Sequence, residues 1–460
     1  MDFFEAMSAV IKGRPPIANS PLATGGEARI IAFDGAIQVP LALFFAHVRG
    51  VAAGLPAGAH AINLCEDRYR FLVAFCAVAV RGQTTLLPPS RAPAVIAEEL
   101  QRHAGSYCIG DVALAETPPR YWRMPQELPM LEGEPLRLDD NALVAIGFTS
   151  GSTGEPRPNP KTWGSFRTST AQNLAALGDL WPADATPHVV ATVPAQHMYG
   201  MEMSVLLPLL GGVAVHAARP FFPEDIAQAL RAATSPRLLV TTPVHLRALV
   251  QSNVDLPVMA GIVSATAPLP TEVAAAAEAR FSCEVRELFG STETCVIARR
   301  RTARESAWTP LPGVQLQPQP DGSLVHAPHL PAPVALADLI ELAADGRFTL
   351  SGRQADLLEI AGKRASLGDL TRQLQAVPGV RDGVVFQLDA ADAGGVRRIA
   401  ALAVADVDEA TILRALRRGI DPVFLPRPLR CVSALPRNET GKLPRLALLR
   451  LLQGDVHSSS

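Results

Sequence analysis

This 460-residue chain lacks a strong net charge, paired cysteines, a leader-like start and any long apolar run. Its 42 basic residues nearly cancel its 44 acidic ones, leaving a formal charge of -2. No global field therefore draws it to nucleic acid or anionic lipid. Its six cysteines (Cys65, Cys76, Cys108, Cys283, Cys295, Cys431) are scattered without a CxxC pair. That spacing excludes a zinc ribbon and a secreted disulfide scaffold, and suits reduced, packed thiols. The start Met1-Asp2-Phe3-Phe4-Glu5 has neither the basic residues nor the apolar run of a signal peptide. The most apolar stretch, 205–218, is broken by Pro208, Gly211, Gly212 and His216, so it reads as core rather than as a membrane span. A soluble cytoplasmic protein is expected.

Hydrophobic residues make up 48% against 19% charged, which favours folding, and 460 residues exceed what one core organises. Two or three domains follow. Strand-like apolar runs at 61–64, 84–87, 189–193, 213–216, 238–241 and 261–264 alternate with helical stretches at 70–80, 223–233 and 271–280. Such alternation predicts an α/β fold, a large N-terminal domain (1–353) of stacked mixed or parallel sheets with helices. Ligands in these folds gather at the carboxyl ends of the strands. A Pro-rich stretch, 310–333, carries weak strand signals at 314–317 and 323–326. Beyond it, 354–460 reads as a small C-terminal α+β domain. A helix at 367–377, strands at 383–388 and 397–405 and a helix at 409–418 lead to a Pro- and Arg-rich loop. That loop carries Lys442 towards a last helix, and the tail 457–460 is expected to be disordered. No internal repeat is visible.

Phe148-Thr149-Ser150-Gly151-Ser152-Thr153-Gly154 follows the apolar run 143–146. Small residues let backbone N–H groups close round an anion, and hydroxyls add donors, so the segment suits phosphate. It is not a Walker loop, since no GK[ST] follows. Standing alone it would read as a flexible Gly/Ser turn. Three more segments come after it in order: Glu287-Leu288-Phe289-Gly290-Ser291-Thr292-Glu293, then Gly352-Arg353, then Leu435-Pro436-Arg437-Asn438-Glu439-Thr440-Gly441-Lys442.

Taken together these segments resemble the TSGSTGxP, [YF]GxTE and LPRxxxGK signatures of one superfamily. It embraces acyl-CoA synthetases, aryl-acid ligases, luciferases and peptide-synthetase adenylation domains, and the resemblance extends over nearly the whole chain. It implies attack of a carboxylate on the α-phosphate of ATP, a union of two anions that needs positive charge and a metal. By resemblance Lys442 bridges carboxylate and α-phosphate, Glu293 binds Mg²⁺ and Thr292 contacts the α-phosphate. Phe289 packs beside adenine, in a nucleotide-binding segment with Glu287, Leu288 and Gly290. Thr149, Ser150, Gly151, Ser152, Thr153 and Gly154 form the phosphate loop. Ser264-Ala265-Thr266-Ala267-Pro268 is similar to SGGAPL, which places Ala265 and Thr266 along the adenine and acyl sites with two glycines replaced. Asp338 stands at the spacing of the TGD segment, although Leu336-Ala337 replaces Thr-Gly. A carboxylate there accepts both ribose hydroxyls, and Arg353 adds a contact. His197-Met198-Tyr199-Gly200 matches a motif beside the acyl pocket, where imidazole suits an aryl acid; a structural role for His197 is equally open. The resemblance also makes the small domain mobile, turning about a hinge between the two half-reactions.

Departures from the signatures are specific. Glu155-Pro156-Arg157-Pro158 replaces the usual Pro-Lys-Gly: Arg157 keeps a charge, Pro158 stiffens the loop, and Lys161 is a substitute cation. In the hinge, Ala355 stands for a charged residue and Glu359 for a lysine. TSGSTG followed by Pro-x-Pro, the run Pro194-Ala195-Gln196-His197-Met198-Tyr199-Gly200 and the short stretch between Glu293 and Asp338 resemble the AMP-ligases of bacterial aryl-polyene and xanthomonadin-type pigment clusters. That branch implies activation of a hydroxybenzoate or hydroxycinnamate and loading onto an acyl carrier protein. Arg299-Arg300-Arg301 with Arg304 reads as a dock for an acidic carrier, a grip on the 3′-phosphate of CoA, or an ordinary solvated run. Free CoA as acceptor is the near alternative. A degenerate nucleotide-binding scaffold is the distant one, favoured by Ala355 and Glu359 and opposed by Glu293, Asp338, Arg353 and Lys442.

Overall fold

The computed structural model describes residues 19–35, 37–150, 156–320, 322–353, 357–360, 363–391, 397–420, 422–438 and 441–454. Two compact units emerge. The first comprises Met1–Glu305, Leu311–Val314 and Ala327–Pro331; the second comprises Ser306–Pro310, Gln315–His326 and Ala332–Ser460. Gln354, Ala355 and Asp356, where the hinge is expected, lie outside the described residues.

Two sheets organise the first unit. One runs in the order Pro156–Thr162, Leu143–Ser150, Thr84–Leu87, His60–Asn63, Tyr107–Gly110, Tyr121–Arg123, parallel except for its first pair. The larger sheet runs Cys295–Arg300, Glu284–Ser291, Gly261–Ser264, Arg237–Thr241, His188–Ala191, Ala214–His216, Ile30–Asp34, Ile37–Pro40, with a parallel centre and antiparallel flanks. Its central strands are buried on every residue but the first of Arg237–Thr241, as expected for strands covered on both faces. From Phe71 onward helix Arg68–Val80 is apolar around its whole circumference, and it accordingly touches strands of both sheets. Asp67 caps it by accepting from the Arg70 N–H at 2.8 Å. On the larger sheet, Ile226, Leu230, Leu246, Leu249, Val273 and Ala277 of three helices pack with Val190, Leu239, Ile262 and Val285 of the strands. The apolar stretch after Glu202 is core, with Val205, Leu206, Leu209, Val213 and Val215 fully buried. No described helix is long and apolar enough to cross a membrane.

In the second unit the strand Arg397–Ala405 alternates with period two. Ile399, Ala401 and Ala403 face a core with helices Leu367–Gln375 and Glu409–Leu416, while Ala400 and Leu402 face Leu448 and Leu452 of helix Arg445–Gln453. The Pro-rich stretch is more regular than its composition predicts, since Gln315–Gln319, Gly322–His326 and Val334–Leu336 make a sheet. Cys65, Cys76, Cys108 and Cys295 are buried and Cys431 is exposed, all as free thiols.

Burial gives the first unit a defined acid sensitivity. His188 Nδ1 accepts from the Thr234 N–H at 3.1 Å while Nε2 meets the Thr234 hydroxyl at 2.9 Å. That arrangement requires the neutral ring, and burial lowers its pKa to about 4. The folded form thus binds fewer protons than the unfolded one between pH 6.5 and 4, so this stability is complete above 6.5 and lost as pH falls towards 4. The loss for this site is about 3 kcal/mol at 1.36 kcal/mol per unit. Urea unfolding of wild type and His188→Gln should show their stability difference shrinking over that window; a constant difference would contradict the assignment.

Candidate active site

Three of the sequence motifs meet in the first unit. Gly147, in the strand that leads into the Gly/Ser segment, lies against two neighbouring side chains. A Cβ there would lie 2.6 Å from Thr292 Cγ2 and 3.2 Å from Met198 Cε. The phosphate-loop strand, the Glu293 turn and the His197 motif are therefore packed against one another. Thr149 is half-buried at the end of this strand, 3.5 Å from Asn159 Nδ2. Gly151, Ser152, Thr153 and Gly154 lie outside the described residues, as does the side chain of Ser150.

Strands Glu284–Ser291 and Cys295–Arg300 are joined by the turn that carries Thr292 and Glu293, both half-buried. Within it Thr294 Oγ1 accepts from the Ser291 N–H and donates to Cys295 O. Cys295 holds a left-handed φ of +58°, and Gly290 faces Cys295 O so closely that a Cβ would come within 2.2 Å. Carboxylate and hydroxyl oxygens in this turn are hard donors that suit Mg²⁺. Among the described residues no group of three or more His, Cys, Asp or Glu stands ready to hold a metal. The donor set fits a Mg²⁺ held by one carboxylate and completed by phosphate oxygens and water.

Lys161, expected as a phosphate cation, is instead buried (5% exposed), and its ammonium donates to Glu293 O at 2.7 Å. Glu202 (1% exposed) accepts from the Val296 N–H at 3.1 Å and from Asn173 Nδ2 at 3.0 Å; burial raises its pKa to about 7. His329 (4% exposed) bridges Gln172 Oε1 and Thr294 O, each at 2.6 Å. None of this network is signalled by spacing, because its members lie far apart in sequence.

Glu287 belongs to the expected nucleotide-binding segment, yet its carboxylate is committed to protein. It accepts from the Leu269 N–H at 2.9 Å, from Arg300 at 2.7 Å and from the Thr302 hydroxyl at 2.6 Å. It thereby ties the loop containing Ala265 and Thr266 to the strand carrying Leu288, Phe289 and Gly290. Leu288 is buried, Phe289 half-buried and Gly290 exposed at the mouth of the hairpin. Thr266, where the signature has glycine, takes φ +84°, a conformation costly for a branched residue. Of the arginine run, Arg300 pairs with Glu287, and Arg301 with Glu278 at 2.8 Å and Glu284 at 3.5 Å. These ion pairs explain much of the run within the fold itself.

His197 stands at the N-cap position of a short helix, without a capping bond from its side chain, and is half-buried. Its neighbours fix its place: Tyr199 donates to Val263 O at 3.0 Å, and a Cβ on Gly200 would lie 1.9 Å from Pro194 O. Arg68, wholly buried, donates to Ala191 O at 2.8 Å, to Val193 O at 3.0 Å and to Ser204, fastening the segment that leads to His197.

Asp338, Arg353 and Lys442 belong to the second unit. Asp338 and Arg353 are direct partners across the antiparallel pair Asp338–Leu342 and Phe348–Arg353; the Arg353 side chain lies outside the described residues. Lys442 sits on a tight turn in which the Gly441 N–H donates to Asn438 O, the Asn438 N–H to Lys442 O, and the Lys442 N–H to Asn438 Oδ1. Gly441 takes φ +79°, as such a turn demands. Arg437 anchors it through Asp382 at 2.8 Å and Gly441 O at 2.8 Å. The Lys442 side chain is exposed.

Residues 59–320 match the model of the AMP-binding enzymes, and the chain belongs to that family. It is 32% identical over 303 residues to a 4-coumarate–CoA ligase of Rhodobacter capsulatus, covering 65% of this chain and 74% of that protein. It is 28% identical over 408 residues to a probable 2-succinylbenzoate–CoA ligase of Mycobacterium tuberculosis, covering 80% and 98%. Its fold is similar to that of the o-succinylbenzoate coenzyme A synthetase of Bacillus subtilis solved with ATP and a magnesium ion. There the TM-score is 0.77 at 18% identity, covering 91% of this chain and 96% of that one. The protein is an AMP-forming acid–thiol ligase.

Proposed function

We propose that this enzyme activates a hydroxylated aryl acid, a hydroxybenzoate or hydroxycinnamate, as its acyl-AMP. It then passes the acyl group to the phosphopantetheine thiol of an acyl carrier protein. The observation that supports the first half is the packing of Thr292 and Met198 against Gly147, which brings the strand before the Gly/Ser segment, the Glu293 turn and the His197 motif together. In this reading the acid's carboxylate oxygen attacks the α-phosphorus and pyrophosphate leaves with the bond that breaks. Glu293 would hold Mg²⁺, which would neutralise phosphate charge; Thr292 would donate to the α-phosphate; Lys442, carried on a small domain that follows Arg353, would supply the cation that offsets the charge of the two anions. Asp338 and Arg353 hold the ribose, and His197 lines the acyl pocket. Support for an aryl acid comes from the His197 motif and from the 4-coumarate named for the R. capsulatus relative.

Isotope exchange between pyrophosphate and ATP across a panel of acids is the test. Hydroxybenzoate and hydroxycinnamate should lead and palmitate should trail; palmitate in first place would refute the aryl reading. A second reading, free CoA as acceptor, is favoured by the names of both relatives. The ion pairs that occupy Arg300 and Arg301 weigh equally against a carrier dock and a grip on the CoA 3′-phosphate there. Supplying CoA and a phosphopantetheinylated carrier protein separately, with thioester detected by mass spectrometry, decides between them.

A further inference from the structure

Three backbone groups of the Glu293 turn are each held by a different buried, ionisable side chain. The Glu293 carbonyl accepts from Lys161 at 2.7 Å, the Thr294 carbonyl lies 2.6 Å from His329 Nε2, and the Val296 N–H donates to Glu202 at 3.1 Å. These side chains come from three places: the strand Pro156–Thr162, the segment Ala327–Pro331 and the helical turn Glu202–Leu206. Each is fixed in turn from behind. Asn173 Nδ2 donates to Glu202 at 3.0 Å, and Gln172 faces His329 through Oε1 because its Nε2 donates to Pro312 O at 2.6 Å.

The turn needs such support. Cys295 holds φ +58° without being glycine, and such strain persists only where the surroundings over-determine it. Burying a lysine and a carboxylate this deeply is costly unless every group is hydrogen-bonded, which argues that the arrangement serves more than packing.

We propose that Lys161, Glu202 and His329 are positioning residues that hold residues 291–295 in the shape that presents Glu293 to Mg²⁺–ATP. They touch neither nucleotide nor metal and act through the backbone of the turn. The proposal rests on the reading of Glu293 as the metal ligand. Groups that orient a metal ligand typically cost 10- to 100-fold in metal affinity or activity when removed.

Pyrophosphate–ATP exchange is measured against Mg²⁺ concentration at saturating acid for Lys161→Met and His329→Leu, with thermal melts alongside. Both variants should need about 10-fold more Mg²⁺ for half-maximal rate, with the KM for the acid unchanged. Leu249→Ala, a cavity variant in the core of the larger sheet, should lose thermal stability and keep the wild-type Mg²⁺ midpoint. A wild-type midpoint in both network variants would overturn the proposal, as would an equal shift in Leu249→Ala. Failure of both network variants to fold would also overturn it, since their role would then lie in the fold itself. Glu293→Gln separates the two readings: a wild-type Mg²⁺ midpoint there sinks the metal-ligand assignment. A shift there without one in Lys161→Met sinks the positioning role alone.

Discussion

Lys442→Ala is expected to lower acid-dependent pyrophosphate–ATP exchange about 100-fold or more while leaving the melting temperature unchanged. The large effect follows from chemistry: joining a carboxylate to a phosphate brings two anions together, and a positioned ammonium offsets that charge only as the transition state forms. The small effect on stability follows from the turn. Lys442 contributes its N–H and C=O to the bonds with Asn438, both of which alanine retains, and its side chain is exposed. The Arg437–Asp382 pair stays in place as well. Thioester formation from synthetic acyl-AMP should suffer far less, because no new bond to phosphorus is made in that step. Near-normal exchange by the variant would remove Lys442 from the reaction.

Gly290→Ala should damage both activity and stability. A Cβ at this position would lie 2.2 Å from Cys295 O and 2.7 Å from Val296 Cα, both backbone atoms of the neighbouring strand. Neither rotates away, so the hairpin must open, and Thr292 and Glu293 move with it. Overpacking of this kind costs about 1–3 kcal/mol, and a displacement of roughly 1 Å at a reacting site costs about 100-fold in rate. Denaturant melts and exchange kinetics on the purified variant give both numbers. Wild-type kcat/KM would show that the turn geometry does not matter to adenylation. Gly147→Ala is the milder comparison, since its Cβ meets the Thr292 and Met198 side chains, which have some freedom to shift.

Most of the fold was legible because its elements announce themselves by period. The strands expected at 84–87, 261–264 and 397–405 are those observed, and helices 223–233 and 271–280 differ from Pro223–Ala232 and Thr271–Phe281 by one residue. The sheet at 315–336 was harder, because proline at 318 and polar glutamines hide a strand whose partner, not its composition, makes it. At the site, motifs located the turns but not the duties of individual side chains. Glu287 reads as part of a nucleotide segment, yet its cross-strand partner is Arg300, and register alone reveals that the two neutralise each other. Lys161 reads as a cation near phosphate. Its place in the antiparallel pair with Leu143–Ser150 turns it inward, to a carbonyl 132 residues away. A one-dimensional pattern carries no signal for such a contact.

The distribution of thiols gives this protein a built-in attachment point. Cys65, Cys76, Cys108 and Cys295 are shielded, and Cys283 is partly covered, its thiol pushed up to about 12 by burial. Cys431 is exposed at the end of the strand Leu429–Cys431, in the same unit as the Lys442 turn. Partial burial and the neighbouring Glu409 and Asp408 raise its pKa, so a maleimide dye will couple slowly, with a rate that climbs as pH increases. A fluorophore placed there without any engineered cysteine would label the lysine-bearing unit selectively, in the wild-type sequence.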